Sequence, residues 1–214
     1  MDSLIDKYDR LAEGFTAREY ANKEFYMYRR LLLTLFWGVP LKSGDSVLEL
    51  GCGDGYLARS FIRYGLRYHG VDFAPERVRV AGSRLREAGL DADLTVADVN
   101  ELSLTEPYDA VVAYMRTFFA YTREPLAVLR RLRPCVRKKI ILDLNPRRDL
   151  PVKKGIALLQ EAGFRRVTWR PFLVPKEKRL PPALLRVLVS CEDVPLVRSL
   201  PLRWKFHCLL KGEP

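Results

Sequence analysis

Residues 47–57 read Val-Leu-Glu-Leu-Gly-Cys-Gly-Asp-Gly-Tyr-Leu. A short apolar run of β-branched and leucine residues carries an acid, Glu49, and passes directly into glycines at 51, 53 and 55. Such a string predicts a buried strand, a bend and a helix. Glycine lets the backbone turn through left-handed conformations and approach a ligand that a Cβ would hold off, and a helix start presents unpaired N–H groups. The expectation is a nucleotide-type cleft, with a purely structural strand-to-helix turn as the plainer alternative.

The same alternation continues outward from this stretch. Strands are predicted at Ser46 to Leu50, Tyr68 to Phe73, Leu94 to Val99, Tyr108 to Met115 and Lys139 to Leu144. Helices are expected between them, from about Tyr56 to Tyr64, from Pro75 to Glu87 and over a segment ending near Leu132. Pro75 suits a first helical turn, and Gly89 suits a helix exit. Val152 to Ala162 reads as a further helix stopped by Gly163, and Arg166 to Val174 as a sixth strand in which Pro171 argues for an edge or a bulge. Trp204, Phe206, Cys208 and Leu210 alternate with Arg203, Lys205, His207 and Lys211, the two-residue period of a strand. Short apolar strands separated by amphipathic helices imply an α/β fold, three-layered and doubly wound around a mostly parallel sheet.

Two hundred and fourteen residues with 48% hydrophobic content suit one domain with a full core. Residues 1–42 are expected to form a helical cap, 43–175 the ligand-binding core, 176–202 an insertion or lid and 203–212 the last strand. The first residues are charged and lack an uninterrupted apolar stretch, so neither a signal peptide nor a membrane span is expected and a cytoplasmic location follows. Four scattered cysteines at 52, 135, 191 and 208 indicate neither disulfides nor zinc. Charge is uneven: Met1 to Thr122 is net −3, whereas Arg123 to Pro214 is net +14 of the overall +11. That bias allows an anionic partner such as RNA or an acidic membrane surface, against a plain solvated face.

The glycine spacing, G-x-G-x-G after an acid, differs from the G-x-G-x-x-G of dinucleotide folds. It resembles the first motif of the class I S-adenosylmethionine-dependent methyltransferases. The resemblance spans roughly Val47 to Gly163 and implies a seven-stranded sheet whose last strand inserts antiparallel between the fifth and sixth. It implies S-adenosyl-L-methionine as cofactor, held by Glu49, Gly51, Cys52, Gly53, Gly55 and Tyr56 in the loop. Further cofactor contacts would come from Asp72 to the ribose, Phe73 against the adenine, Asp98 and Val99 at the adenine edge, and Tyr114 at the exit of strand four. The plainer readings are a strand-end turn for Asp72 and a cap of the Asn100-Glu101 turn for Asp98.

Such a fold methylates by holding a nucleophile in line with the S–C bond and, for a hydroxyl or ammonium acceptor, by removing a proton. Asp143 and Asn145 at the end of strand five, and Arg116 after strand four, are the candidate catalytic residues; Arg147 and Arg148 are expected at the same rim. His69 and His207 both fall inside predicted strands, away from the ligand end. Tyr8, Tyr20, Tyr26 or Arg29 of the N-terminal segment could reach the cofactor or acceptor. Adenine- and amide-directed relatives carry Asn/Asp-Pro-Pro-Tyr after strand four, absent here. Catechol-type relatives hold a metal through an acid after strand four and an Asp-Asn pair after strand five; Tyr114, Met115 and Arg116 replace that first acid, so no metal is expected. The expected activity is methyl transfer to a small-molecule acceptor at O, N or C. An RNA methyltransferase and a non-catalytic cofactor-binding subunit are the alternatives.

Overall fold

The structure is a computed structural model that describes residues 22–114, 117–175, 179–200 and 207–214. Seven strands form one sheet: β1 (Ser46–Leu50), β2 (Arg67–Asp72), β3 (Asp93–Val96), β4 (Tyr108–Ala113), β5 (Val136–Leu144), β6 (Arg165–Phe172) and β7 (His207–Glu213). Their order is β3-β2-β1-β4-β5-β7-β6. The pairings β1 to β2, β1 to β4, β2 to β3 and β4 to β5 are parallel, and β7 runs antiparallel to both β5 and β6. This is the sheet that the glycine motif implied. Reversal of strand order between β1 and β4 creates the switch point at which open α/β sheets bind ligands.

Eight α-helices are described: α1 (Lys23–Phe36), α2 (Tyr56–Tyr64), α3 (Pro75–Glu87), α4 (Thr117–Tyr121), α5 (Pro125–Leu132), α6 (Val152–Glu161), α7 (Pro182–Cys191) and α8 (Pro195–Ser199). Helix α2 starts and ends on left-handed glycines, Gly55 and Gly65, and buries Leu57, Ala58 and Phe61. Helix α3 has Pro75 in its first turn and buries Ala81 and Leu85 at i and i+4, which fixes one face against the sheet.

Several expectations are refined. The third strand stops at Val96 and the fourth at Ala113, so Asp98 and Tyr114 lie in the loops beyond them. One helix expected before Leu132 is two, because Pro125 cannot continue the ladder of α4. Strand β6 is an edge, as Pro171 suggested, but its register shift falls at Arg165 to Thr168, where Arg166 takes a positive φ of 43°. Trp204 and Phe206, like Tyr8 and Tyr20, lie outside the described residues.

Alternation along the strands sorts the buried residues into two layers. Leu48, Leu50, Val111, Ala113, Ile140, Leu142, Leu144, Cys208 and Leu210 face α4, α5 and α6 in an apolar cluster. Val47, Ala110, Val112, Ile141 and Leu209 face α1, α2 and α7. The strand residues of that second parity also include Glu49, Lys139, Asp143 and Lys211, all buried. Helix α1 is fastened to Asp143 through Arg30 and to Lys139 through its last turn. Lys139 Nζ donates to the carbonyls of Leu35 (3.4 Å) and Trp37 (3.1 Å) at its C-terminal end, where burial beside Lys211 brings the amine down to about 7. Asn22, at the other end, donates to Pro175 O and accepts from Leu180 N.

Candidate functional site

The glycine bend follows β1 with positive φ at all three positions, 72° at Gly51, 55° at Gly53 and 75° at Gly55. Its glycines are needed for a reason other than the expected one. A Cβ on Gly51 would meet Thr117 Cγ2 at 2.0 Å, one on Gly53 would meet Arg77 Nη2 at 2.7 Å, and one on Gly55 would meet Ala81 Cβ at 3.1 Å. The space in front of those positions belongs to the chain's own side chains. The amides are committed as well: Gly51 and Cys52 donate to Val71 O, Gly53 to Asp72 and Gly55 to Cys52 O. What the bend offers a ligand is the start of α2, which has no side-chain cap, flanked by two buried carboxylates.

Glu49 is the first of these. It accepts from Tyr68 Oη at 2.8 Å, and burial pushes its carboxyl up to about 8 against the pull of Tyr68 and Arg30. Asp72 is the second; its Oδ2 accepts from Gly53 N (2.8 Å) and its Oδ1 from Ala74 N (3.0 Å). Asp72 thus ties the end of β2 to the glycine bend, and burial holds its carboxyl above the usual range. Each oxygen keeps a second lone pair, so the turn and a ligand role are compatible. Cys52 is a buried free thiol. Arg84 lies over the Tyr56 ring at 5.4 Å and pairs with Asp54 at 2.7 Å.

Phe73 is half-buried and tilts against Tyr121, centroids 6.1 Å apart. Asp98 accepts from Asn100 N and Nδ2, the turn cap of the plainer reading, and its second oxygen stands 3.6 Å from Arg123. Val99 packs partly buried against the apolar cluster. These residues follow β2 and β3 at one side of the switch point.

On the other side, the strand ends carry a second constellation. Tyr114 is buried with its hydroxyl 2.6 Å from Thr34 Oγ1, turned into the α1 layer. Asp143 is fully buried rather than at an open rim. Its Oδ2 accepts from Arg30 Nη2 at 2.5 Å, and its Oδ1 lies 2.9 Å from His207 Nδ1. Arg30 also donates to Tyr26 Oη at 2.8 Å and sits among the rings of Tyr26, Tyr114 and Phe172, at 4.2, 4.8 and 5.3 Å from their centroids. Among the described residues its buried Nε and Nη1 have no hydrogen-bond partner.

His207 was expected inside a strand, away from the ligand end. The register overturns this. Cys208 pairs with Leu144, the last residue of β5, and His207 with Phe172, the last of β6. Because β7 runs antiparallel, its first described residue lies at the carboxyl ends of its neighbours. His69, by contrast, is spent: its ring nitrogens bond Tyr108 Oη (2.6 Å) and Thr95 Oγ1 (2.9 Å).

Asn145 closes the strand by accepting from Arg147 N, and Arg147 and Arg148 are exposed. Arg116 lies outside the described residues. Arg29 is occupied by Glu192 of the insertion at 2.8 Å. Sequence reading missed Arg30, Thr34, Tyr68, Arg77 and Thr117. Tyr26, Arg30 and Thr34 at i, i+4 and i+8 were the available signal for the first two, a polar stripe on a helix otherwise rich in leucine.

A family described as "Methyltransferase domain" matches residues 47–139. Over that stretch the chain carries the methyltransferase domain that the glycine motif implied. Relatives of the methyltransferase include a ubiquinone biosynthesis O-methyltransferase of Xanthomonas campestris pv. campestris (strain B100), 24% identical over 181 residues, 81% of this chain and 75% of that protein. Another, from Xanthomonas euvesicatoria pv. vesicatoria (strain 85-10), is 32% identical over 128 residues, 60% of this chain and 54% of that one. Among solved structures, a methyltransferase in complex with the Haloferax volcanii Trm112 methyltransferase activator superposes with a TM-score of 0.67, 17% identity and 96% coverage of both chains. Magnesium protoporphyrin IX methyltransferase from Synechocystis PCC 6803, solved with bound S-adenosylmethionine, gives a TM-score of 0.58 at 16% identity, covering 98% of this chain and 83% of that one. No helix among the described residues of the methyltransferase is long and apolar enough to cross a membrane.

Proposed function

We propose that this methyltransferase transfers the methyl group of S-adenosylmethionine to oxygen of a small-molecule acceptor seated where β4 and β5 end and β7 begins, beneath α1 and the insertion. The observation that carries the reading is the left-handed glycine bend bound to Asp72, with Glu49 beside it and the uncapped start of α2 in front. That donor set fits an amino-acid nucleoside: a helix start for the carboxylate, Glu49 for the ammonium, and Asp72 for the ribose hydroxyls. Asp98 and Val99 would bound the adenine, with Phe73 on its face. The cofactor supplies an activated methyl group; the chain's residues orient it and exclude water. Oxygen as the acceptor atom is supported by the printed names of the Xanthomonas relatives.

The insertion favours a small acceptor over RNA. Glu192, fully buried, binds Arg29 of α1 and accepts from Leu173 N, and Leu185 packs into the α1 layer, so residues 180–192 form a roof over that side. We read the chain as one domain with residues 1–42 as cap, 43–175 as cofactor core, 176–202 as lid and 203–212 as last strand. Calorimetric titration of the full chain with S-adenosylhomocysteine tests the cofactor site directly, and absence of binding at millimolar ligand would overturn it.

A further inference from the structure

We propose that Asp143 and His207 form a general-base dyad that takes the proton from a hydroxyl acceptor, which makes His207 a catalytic residue and Asp143 and Arg30 its positioning residues. The proposal rests on the methyltransferase reading above and names the acceptor's chemical class, a phenol or comparable hydroxyl compound.

A carboxylate can only accept, so the 2.9 Å contact between Asp143 Oδ1 and His207 Nδ1 places the imidazole proton on Nδ1 and leaves Nε2 with its lone pair. Among the described residues Nε2 has no hydrogen-bond partner, and the side chain keeps 15% of its surface exposed. Asp143 cannot rotate away, because Arg30 grips its other oxygen. Arg30 is itself enclosed by Tyr26, Tyr114 and Phe172. The dyad stands on the same face of the sheet as Glu49 and Tyr114, in successive neighbouring strands, so the base and the cofactor loop share one end of one layer. His69 shows what a structural histidine looks like in this protein, with both nitrogens satisfied.

The step balances without another reactant. The acceptor O–H gives its proton to Nε2 as its oxygen bonds the methyl carbon. The S–CH3 bond breaks, its electron pair stays on sulfur, and a neutral thioether is left. The imidazolium is stabilised by Asp143. Among the described residues, the charged and titratable groups that reach His207 are Asp143 on β5 and, through it, Arg30 and Tyr26 on α1; β6 opposes it with uncharged Phe172.

The test compares the full-length wild type with His207→Gln and Asp143→Asn, using labelled S-adenosylmethionine and four probes: catechol, 4-hydroxybenzoate, benzylamine and thiophenol, the last ionised in neutral water without help. The wild type is expected to methylate a hydroxyl probe with a kcat/KM that rises with pH on an acidic limb of slope one. His207→Gln should lose that limb and fall on the order of 10²- to 10⁴-fold, with Asp143→Asn losing kcat rather than KM. Thiophenol methylation, needing no base, should fall far less in His207→Gln than hydroxyl methylation does, and an equal fall in both would overturn the dyad. Equal hydroxyl rates in wild type and His207→Gln, or transfer by the wild type to none of the hydroxyl probes, overturns the dyad. Calorimetry with S-adenosylhomocysteine on the same proteins separates the two readings: retained binding with an unaffected hydroxyl rate sinks only the base, and lost binding in the wild type sinks the cofactor site. Should His207→Gln fail to fold, a wild-type pH profile without the acidic limb is the overturning result.

Discussion

The two layers that sandwich the sheet are built differently. Toward α4, α5 and α6 the strands present leucine, isoleucine, valine and alanine, with Phe118 and Phe119 packed edge to face at 5.1 Å. Toward α1 and α7 the same strands present Glu49, Lys139, Asp143 and Lys211 among their apolar residues, and α1 answers with Arg30 and Thr34. Apolar burial is non-directional and stabilises by area alone, roughly 25 cal/mol per Å². Buried charges cost desolvation and are tolerated where geometry and partners are fixed. One layer therefore holds the fold, and the other holds a chemical arrangement in place at some expense of stability.

Breaking the buried pair should have the largest effect. Arg30→Ala takes the guanidinium from buried Asp143 and the cation from between three rings, so a loss of about 3–5 kcal/mol is expected in urea unfolding. Pairing Arg30→Met with Asp143→Leu should recover most of that stability while methyl transfer stays absent; a double variant as unstable as the single would mean the layer is held by that charge pair. On the opposite layer, Leu159→Ala should cost about 2–5 kcal/mol through transfer and cavity terms, and leave S-adenosylhomocysteine affinity untouched. A fall in affinity there would blur the distinction between the layers.

Asp72→Ala should weaken S-adenosylhomocysteine binding by about 1.5–3 kcal/mol, the usual worth of hydrogen bonds to a charged group. Unfolding measured in parallel reports the lost bonds to Gly53 and Ala74 separately. A further effect is a slope in pH. With its folded value raised from 4.5 to about 8, Glu49 holds its proton in the folded state where the unfolded chain has released it. Its contribution is full below about 4.5 and is lost as pH rises to about 8. Glu49→Gln should flatten stability across that window. An ammonium placed beside Glu49 favours its ionised form, so cofactor binding near neutral pH should release a proton in the wild type and not in Glu49→Gln, a difference that calorimetry in buffers of unlike ionisation enthalpy detects.

Legibility in the sequence followed range. Ser46 to Leu50, Tyr56 to Tyr64 and Pro75 to Glu87 were readable to the residue, because apolar period, proline and left-handed glycine act on the adjacent backbone. Asp72 was readable as a strand-end acid, though its bond to Gly53, nineteen positions back, was not. The glycines were readable as a bend, while the side chains that crowd them, Thr117 and Arg77, come from α4 and α3. His207 was misread because its position depends on the direction of a strand rather than on its own neighbours.

Sequence alone determined the α/β alternation, the class of fold and the glycine bend proposed here to face a nucleoside-type ligand, since each is written in contacts a few residues long. Tertiary structure alone decided that Arg30 meets Asp143 across 113 positions and that His207 meets it across 64. Those meetings require the last strand to insert backwards between two parallel neighbours and α1 to lie over their ends. No local preference encodes such a meeting; it exists only once the sheet has closed around it.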